Sequence, residues 1–220
     1  MSLTALGAGL LLAALVLAQL LLPGIAARRI SSRIGRYGAV DRVSVSAWPA
    51  VKLLWGDADS VEVKAGALAL SPAQAAALLW ESRGVSRMDV SIRSVRLGTL
   101  ELAAVRLRKR GQQLVGEGST TAAQAAAALP PGISATLLDS REGAVEVRAG
   151  GGLFGISASV RARAEAREGK LIAHPVGFLI EGFQLTLFAD PHVHVEGIAA
   201  SVTTREPLLS YGLTIEALLR

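Results

Sequence analysis

Three histidines are the only side chains in this sequence that ordinarily titrate near neutral pH, so metal or proton-shuttle chemistry would start from them. His192 and His194 stand two apart in an extended-looking stretch, which puts both on one face of a strand together with Glu196. That spacing permits metal ligation. It is also the ordinary pattern of a strand edge, and nothing in the sequence brings His174 near, so the expectation is no metal and no cofactor. The run Gly150-Gly151-Gly152-Leu153-Phe154-Gly155 matches the glycine spacing of a dinucleotide-binding loop. A strand pattern follows it where a helix N-terminus would be needed to hold a pyrophosphate, so it reads as a hairpin loop. Asp57 and Asp59 read as a turn rather than a carboxylate pair for acid–base work. No nucleophile–base spacing is visible, and the chain reads as non-enzymatic. Arg106, Arg108, Lys109 and Arg110 form a basic cluster at a strand end. Stacking aromatics are absent around it, so it reads as a wet strand end and not as a nucleic-acid site.

The elements that would position such residues follow from composition and periodicity. A chain of 220 residues that is 51% hydrophobic and 19% charged is too apolar for disorder and long enough for a sizeable core. Aromatics are 4%, so that core is aliphatic. The absence of cysteine excludes disulfides, thiolate metal sites and cysteine nucleophiles. The net charge of +5, carried mostly by arginine, suits phosphate-bearing partners.

No charged residue occurs from Ser2 to Ala27, and Leu3 to Leu22 is apolar except for Gln19 as the one clear polar interruption. About 20 such residues suffice to cross a bilayer. Residues 1–24 therefore read as a transmembrane anchor or a signal sequence, cleaved or not; a buried core helix is the alternative. Residues 25–220 read as one domain. Arg28, Arg29, Arg33 and Arg36 follow the apolar run, and the positive-inside bias alone would place the body in the cytoplasm. From Ile25 to Tyr37 the pattern is that of an amphipathic helix, with Ala27, Ile30, Ile34 and Tyr37 on one stripe and Arg29, Arg33 and Arg36 on another. Its arginines can lie at anionic head groups, and the same helix can cap one end of a sheet.

After Gly38 the period becomes 2. Phe154 to Arg167 alternates small or apolar residues with Ser, Arg and Glu, which predicts a half-buried strand of roughly 45 Å. Such length points to an elongated, strongly curved sheet. Met88 to Leu107 alternates with slips of phase, the signature of bulges. Shorter strands are predicted at Val61–Lys64, Ala144–Arg148, Leu185–Leu187 and Val193–Val195. Ser71-Pro72-Ala73-Gln74 and Thr121-Ala122-Ala123-Gln124 each open a short helix with a capping box. Both helices carry Ala-Gln-Ala-Ala-Ala between strand-like runs, which suggests a tandem strand–helix–strand unit. The predicted fold is α+β: a mostly antiparallel, strongly curved sheet wrapped around short helices, preceded by the N-terminal helix. Small inward residues would leave an apolar cavity, for which Trp55, Val61, Val63, Trp80, Val90, Ile92, Ile156, Ala158 and Val160 are the expected lining.

Val43-Ser44-Val45-Ser46-Ala47-Trp48-Pro49, then Leu53-Leu54-Trp55-Gly56, then Val61-Glu62-Val63-Lys64, resembles the opening signature of the LmeA-like phospholipid-binding proteins of bacterial cell envelopes. The later order is similar too: a strand, an Ala-rich helix, a hairpin ending in Gly-Leu-Phe-Gly, the long alternating strand and a strand bearing Pro175. The likeness covers about residues 25 to 198. Trp48 stands where Phe is commoner, and the tail from Ser201 to Arg220 does not follow the pattern. The resemblance implies a tubular lipid-binding-like fold, binding of phospholipid or a related lipid, no catalytic set, and a body outside the cytoplasmic membrane, against the arginine distribution. The expected function is a membrane-tethered, non-enzymatic phospholipid-binding or lipid-handling protein of the cell envelope. The alternative is an envelope scaffold or assembly protein with a solid core and no lipid cavity.

Overall fold

The computed structural model describes residues 2–129, 133–153, 156–176, 184–205 and 208–220. Helix α1 spans Ser2–Ile34, and β1 (Gly38–Ser46) follows. A 3₁₀ turn over Ala50–Trp55 leads to β2 (Ala58–Leu70). Helix α2 (Pro72–Glu81) connects β2 to β3 (Val85–Leu97). Strands β4 (Leu100–Arg110) and β5 (Gln113–Thr121) precede helix α3 (Ala122–Ala127). Then come β6 (Ile133–Arg141), β7 (Ala144–Leu153), β8 (Ile156–Arg167), β9 (Lys170–Val176) and β10 (Leu185–Phe188). Strands β11 (Val193–Arg205) and β12 (Leu208–Leu219) close the chain.

The strands form two sheets where one was expected. A seven-stranded sheet runs β1-β2-β3-β4-β5-β12-β11, and a five-stranded sheet runs β10-β9-β8-β7-β6. Pairing is antiparallel except between β2 and β3, which are parallel with Val63 opposite Val90. The parallel pair exists because α2 carries the chain back across the sheet, as a parallel connection requires. Both predicted capping boxes form. Ser71 Oγ accepts from Gln74 N at 3.2 Å, and Thr121 Oγ1 accepts from Gln124 N at 3.2 Å. The two units are nonetheless not a repeat: α2 joins neighbouring strands of one sheet, whereas α3 passes the chain from β5 to β6, in the other. The phase slip after Leu102 is a bulge. Ala104 takes φ 51° and the β4–β5 register shifts between Ala103 and Arg106.

One core lies under the helices of the larger sheet. Val45, Val61, Val63, Met88, Leu114, Ala217 and Leu219 are buried there. Ala27, Ile30 and Ile34 of α1 and Leu79 of α2 pack against them. Three members of the predicted apolar stripe thus do their work on the sheet. Helix α1 continues through residues 24 and 25 without a break. Among the described residues, no helix is long and apolar enough to cross a membrane.

The five-stranded sheet abuts the edge strand of the seven-stranded one by its hairpin tips. Two-residue turns, Glu142-Gly143 (φ 52° and 73°) and Glu168-Gly169 (φ 52° and 77°), close β6–β7 and β8–β9. Positive φ at both positions matches the twist of the strands they join. Their carbonyls accept from the outer edge of β11: Ile198 N donates to Gly143 O at 3.1 Å and Val195 N to Gly169 O at 2.9 Å. At Gly169 a Cβ would lie 2.1 Å from His194 Nδ1, so the close approach requires glycine. The edge of β11 is in this way used internally rather than left open.

Candidate functional site

The expected lining residues fall into separate places. Val61 and Val63 are 5% and 3% exposed and belong to the core beneath α1 and α2, with half-buried Val90 against it. Ile92 is half-buried further along β3. Trp80, on α2, stacks on His192 with ring centroids 4.1 Å apart, and the Arg83 guanidinium lies 4.7 Å from the Trp80 ring. Trp55 is 73% exposed on the 3₁₀ turn, and Val160 is 37% exposed on β8. The side chains of Ile156 and Ala158 lie outside the described residues. Val61, Val63 and Val90 are thus brought together, while Trp55 and Val160 stand apart from them. The same division leaves the apolar face of the five-stranded sheet thinly covered. Val147, Ala149, Ala162, Ala164 and Ala173 are only half-buried there, although Val145 and Leu171, near the hairpin tips, are buried.

The opposite face of that sheet buries Ala144 and Ile172 near the hairpin tips and carries a ladder of charge beyond them. Arg163 is bonded to Glu165 (Nε to Oε2, 3.1 Å) and lies 3.5 Å from Glu146, while His174 Nε2 is 3.4 Å from Glu165. These groups stand on β7, β8 and β9 in register, Glu146 opposite Arg163 and Arg163 opposite His174. His174 is therefore engaged away from the other two histidines. Among the described residues no group of three or more His, Asp or Glu is placed to hold a metal ion. Gly150 to Gly152 pair with Ser159 to Ser157, and strand continues from Ile156; Phe154 and Gly155 lie outside the described residues.

The four arginines have different surroundings. Arg28, Arg29 and Arg36 are exposed, with Arg28 Nε donating to Gly24 O at 3.3 Å, and Arg33 is ion-paired with Glu81 of α2. The basic cluster on β4 divides by strand parity. Arg106, Arg108 and Arg110 are exposed; Arg108 pairs with Glu117 and Arg110 with Asp89 at 2.9 Å. Lys109 points the other way and is 1% exposed. Its ammonium donates to Val85 O and, at 3.3 Å, to Arg83 O, the carbonyls that end the α2 connection. Burial pulls its pKa below the ordinary 10.5. Reading the cluster as one wet strand end is corrected at this residue.

Two features escaped the sequence reading. Gln19, an interruption in an apolar run, is a clamp: its Nε2 donates to Ala47 O at 3.1 Å and its Oε1 accepts from Ala50 N at 2.7 Å. A lone amide in such a run was the available signal. Trp48 and Leu54 are largely exposed beside it, as Trp55 is. Asp59 accepts from Trp48 N and lies 3.4 Å from Lys52 Nζ, and the Trp48 amide holds its carboxyl below the usual carboxylate range. A pocket of about 410 Å³ opens where the sheets meet, lined by Glu168, Lys170, Asp190, His194 and Arg220 among others, and by none of the nine expected lining residues. No family model, no curated protein and no solved structure matches the chain.

Proposed function

We propose that the protein is a membrane-tethered, non-enzymatic phospholipid-binding or lipid-handling protein of the cell envelope, with its body on the extracytoplasmic side. The observation that carries the lipid reading is the apolar face of the five-stranded sheet. Val147, Ala149, Val160, Ala162 and Ala164 lie in register on β7 and β8 and stay half-buried or exposed. Small side chains there leave a shallow apolar strip. Each methylene of an acyl chain laid along it gains about 0.8 kcal/mol when fully removed from water. The tether is the N-terminal part of the uncharged run, from Ser2 up to Gln19, where α1 meets the body. Resemblance to the LmeA-like phospholipid-binding proteins supports the same ligand class and the export of the body. Native mass spectrometry of the full chain released from detergent micelles tests the proposal: stoichiometric phospholipid is expected, and bare protein together with no uptake from labelled vesicles would refute it.

A scaffold or assembly role is the second reading. The observation that favours it is the placement of Val61 and Val63 in a filled core rather than at an opening. Release of bare protein in the same experiment is the outcome this reading expects.

A further inference from the structure

The geometry points to a second membrane contact, built by the body of the protein itself: Trp48, Leu54 and Trp55 insert into the interfacial layer of the bilayer beside α1. The inference rests on the membrane-tether reading above and adds the surface that fixes how the body stands on the lipid.

Large apolar side chains are concentrated on two neighbouring elements. On α1, Leu17, Leu20 and Leu21 are more than half exposed; on the loop and 3₁₀ turn, Trp48, Leu54 and Trp55 are about two-thirds exposed or more. The two elements are held together. Gln19 bonds both Ala47 O and Ala50 N, and Leu53 of the turn joins the core cluster that Ala26 and Ala27 of α1 also pack on. Asp59 of β2 holds the same segment from the sheet: it accepts from Trp48 N, between the two atoms that Gln19 bonds, and lies 3.4 Å from Lys52 Nζ. The exposed indoles are thus displayed by a braced loop and not by a free one.

What covers this surface follows from its continuity with the helix. From Gln19 back to Ser2 the backbone stays helical and the sequence has no charge. At about 1.5 Å per residue that length is roughly 25 Å, most of a hydrocarbon layer of about 30 Å. Trp48 lies beside the inner end of this run, at the depth where tryptophan rings favour the border between hydrocarbon and head groups. Cationic groups follow on the side away from the apolar run: Arg28 and Arg29 are exposed on the later turns of α1. The order apolar, aromatic, cationic along one direction is the order of a bilayer from its middle outward. A groove-binding protein partner would not require that order.

Depth-dependent quenching tests this on the full chain. Wild-type protein, Trp80→Phe and Trp48→Phe/Trp55→Phe are reconstituted in phosphatidylcholine–phosphatidylglycerol vesicles carrying brominated acyl chains, and flotation is recorded on the same samples. Flotation of all three is expected. Trp80→Phe, which reports on Trp48 and Trp55, should lose most of its emission, more to bromine near the head group than to bromine at the chain end. Trp48→Phe/Trp55→Phe, which reports on Trp80, should keep its emission. Flotation without quenching of Trp80→Phe overturns this inference while leaving the tether intact. Failure to float overturns both. Blue-shifted, unquenched emission that changes with protein-to-lipid ratio would assign the surface to a second copy of the chain and equally overturn it.

Discussion

Valines of the two sheets alternate with polar residues in the same way, yet Val61 and Val63 on β2 are enclosed while Val160 on β8 is more than a third exposed. Helices account for the difference. Ala27, Ile30 and Ile34 of α1 and Leu79 of α2 lie over β2 and β3, and their shared burial makes a three-dimensional core from a flat alternating strand. The five-stranded sheet gains burial mainly at its hairpin tips, where Val145 and Leu171 lie close to the turns that meet β11. An alternating pattern fixes which residues share a face; what lies over that face decides whether it becomes core or surface.

Aspartate placed on each sheet breaks or sharpens this contrast most. Val63→Asp puts an unpaired carboxylate into the core and should lower stability by about 4 kcal/mol or more. Val160→Asp should cost less than about 1 kcal/mol, chiefly through strand propensity. Urea denaturation of both variants measures the gap. Equal losses would mean that β8 is covered as thoroughly as β2.

Lys109 gives the next effect, and it reports on the larger sheet alone. Lys109→Ala removes a buried four-carbon stem and the donor to Arg83 O and Val85 O, a loss of about 2 to 3 kcal/mol. The pH dependence has a defined sign. The folded state disfavours the ammonium, so between the depressed folded pKa and 10.5 the unfolded chain binds more protons. Stability therefore rises with pH across that window through this group, and its penalty is fully present below it. Lys109→Met should flatten that rise relative to wild type, as read from denaturation midpoints measured from pH 8 to about 10.5. Wild type and Lys109→Met showing the same alkaline slope would refute the assignment.

Strand parity, capping boxes and the α1 stripe were legible because each is a local signal. Ser71 with Gln74, Thr121 with Gln124, and Ala27 with Ile30 and Ile34 are within a few residues of one another. The bulge at Ala104 was legible as a slip of phase for the same reason. The division into two sheets was not, because α2 and α3 carry nearly the same string and differ only in where their chains go next. Nor was the placement of the candidate site. Trp55 and Val63 are both apolar and close in sequence, but one lies on the outer face of a 3₁₀ turn and the other beneath two helices. Lys109 was hidden inside a basic run whose parity separates it from Arg108 and Arg110. Long-range pairing, rather than residue type, settled each of these.

The smallest effect compares the two caps. Serine or threonine at an N-cap contributes about 1 kcal/mol when its oxygen accepts from the backbone two or three residues on. Ser71→Ala should lower global stability by that amount, because α2 spans a parallel strand pair and Ala76 is buried in the core. Thr121→Ala acts on a six-residue helix, too short to hold itself together without packing, and one that carries no buried residue. Its loss should be about half as large in global denaturation. It should show instead as faster hydrogen exchange confined to amides of Ala122–Ala127 and the adjoining end of β5. If Thr121→Ala costs as much as Ser71→Ala and protection falls across both sheets, the passage between the sheets is as cooperative as the crossover within one.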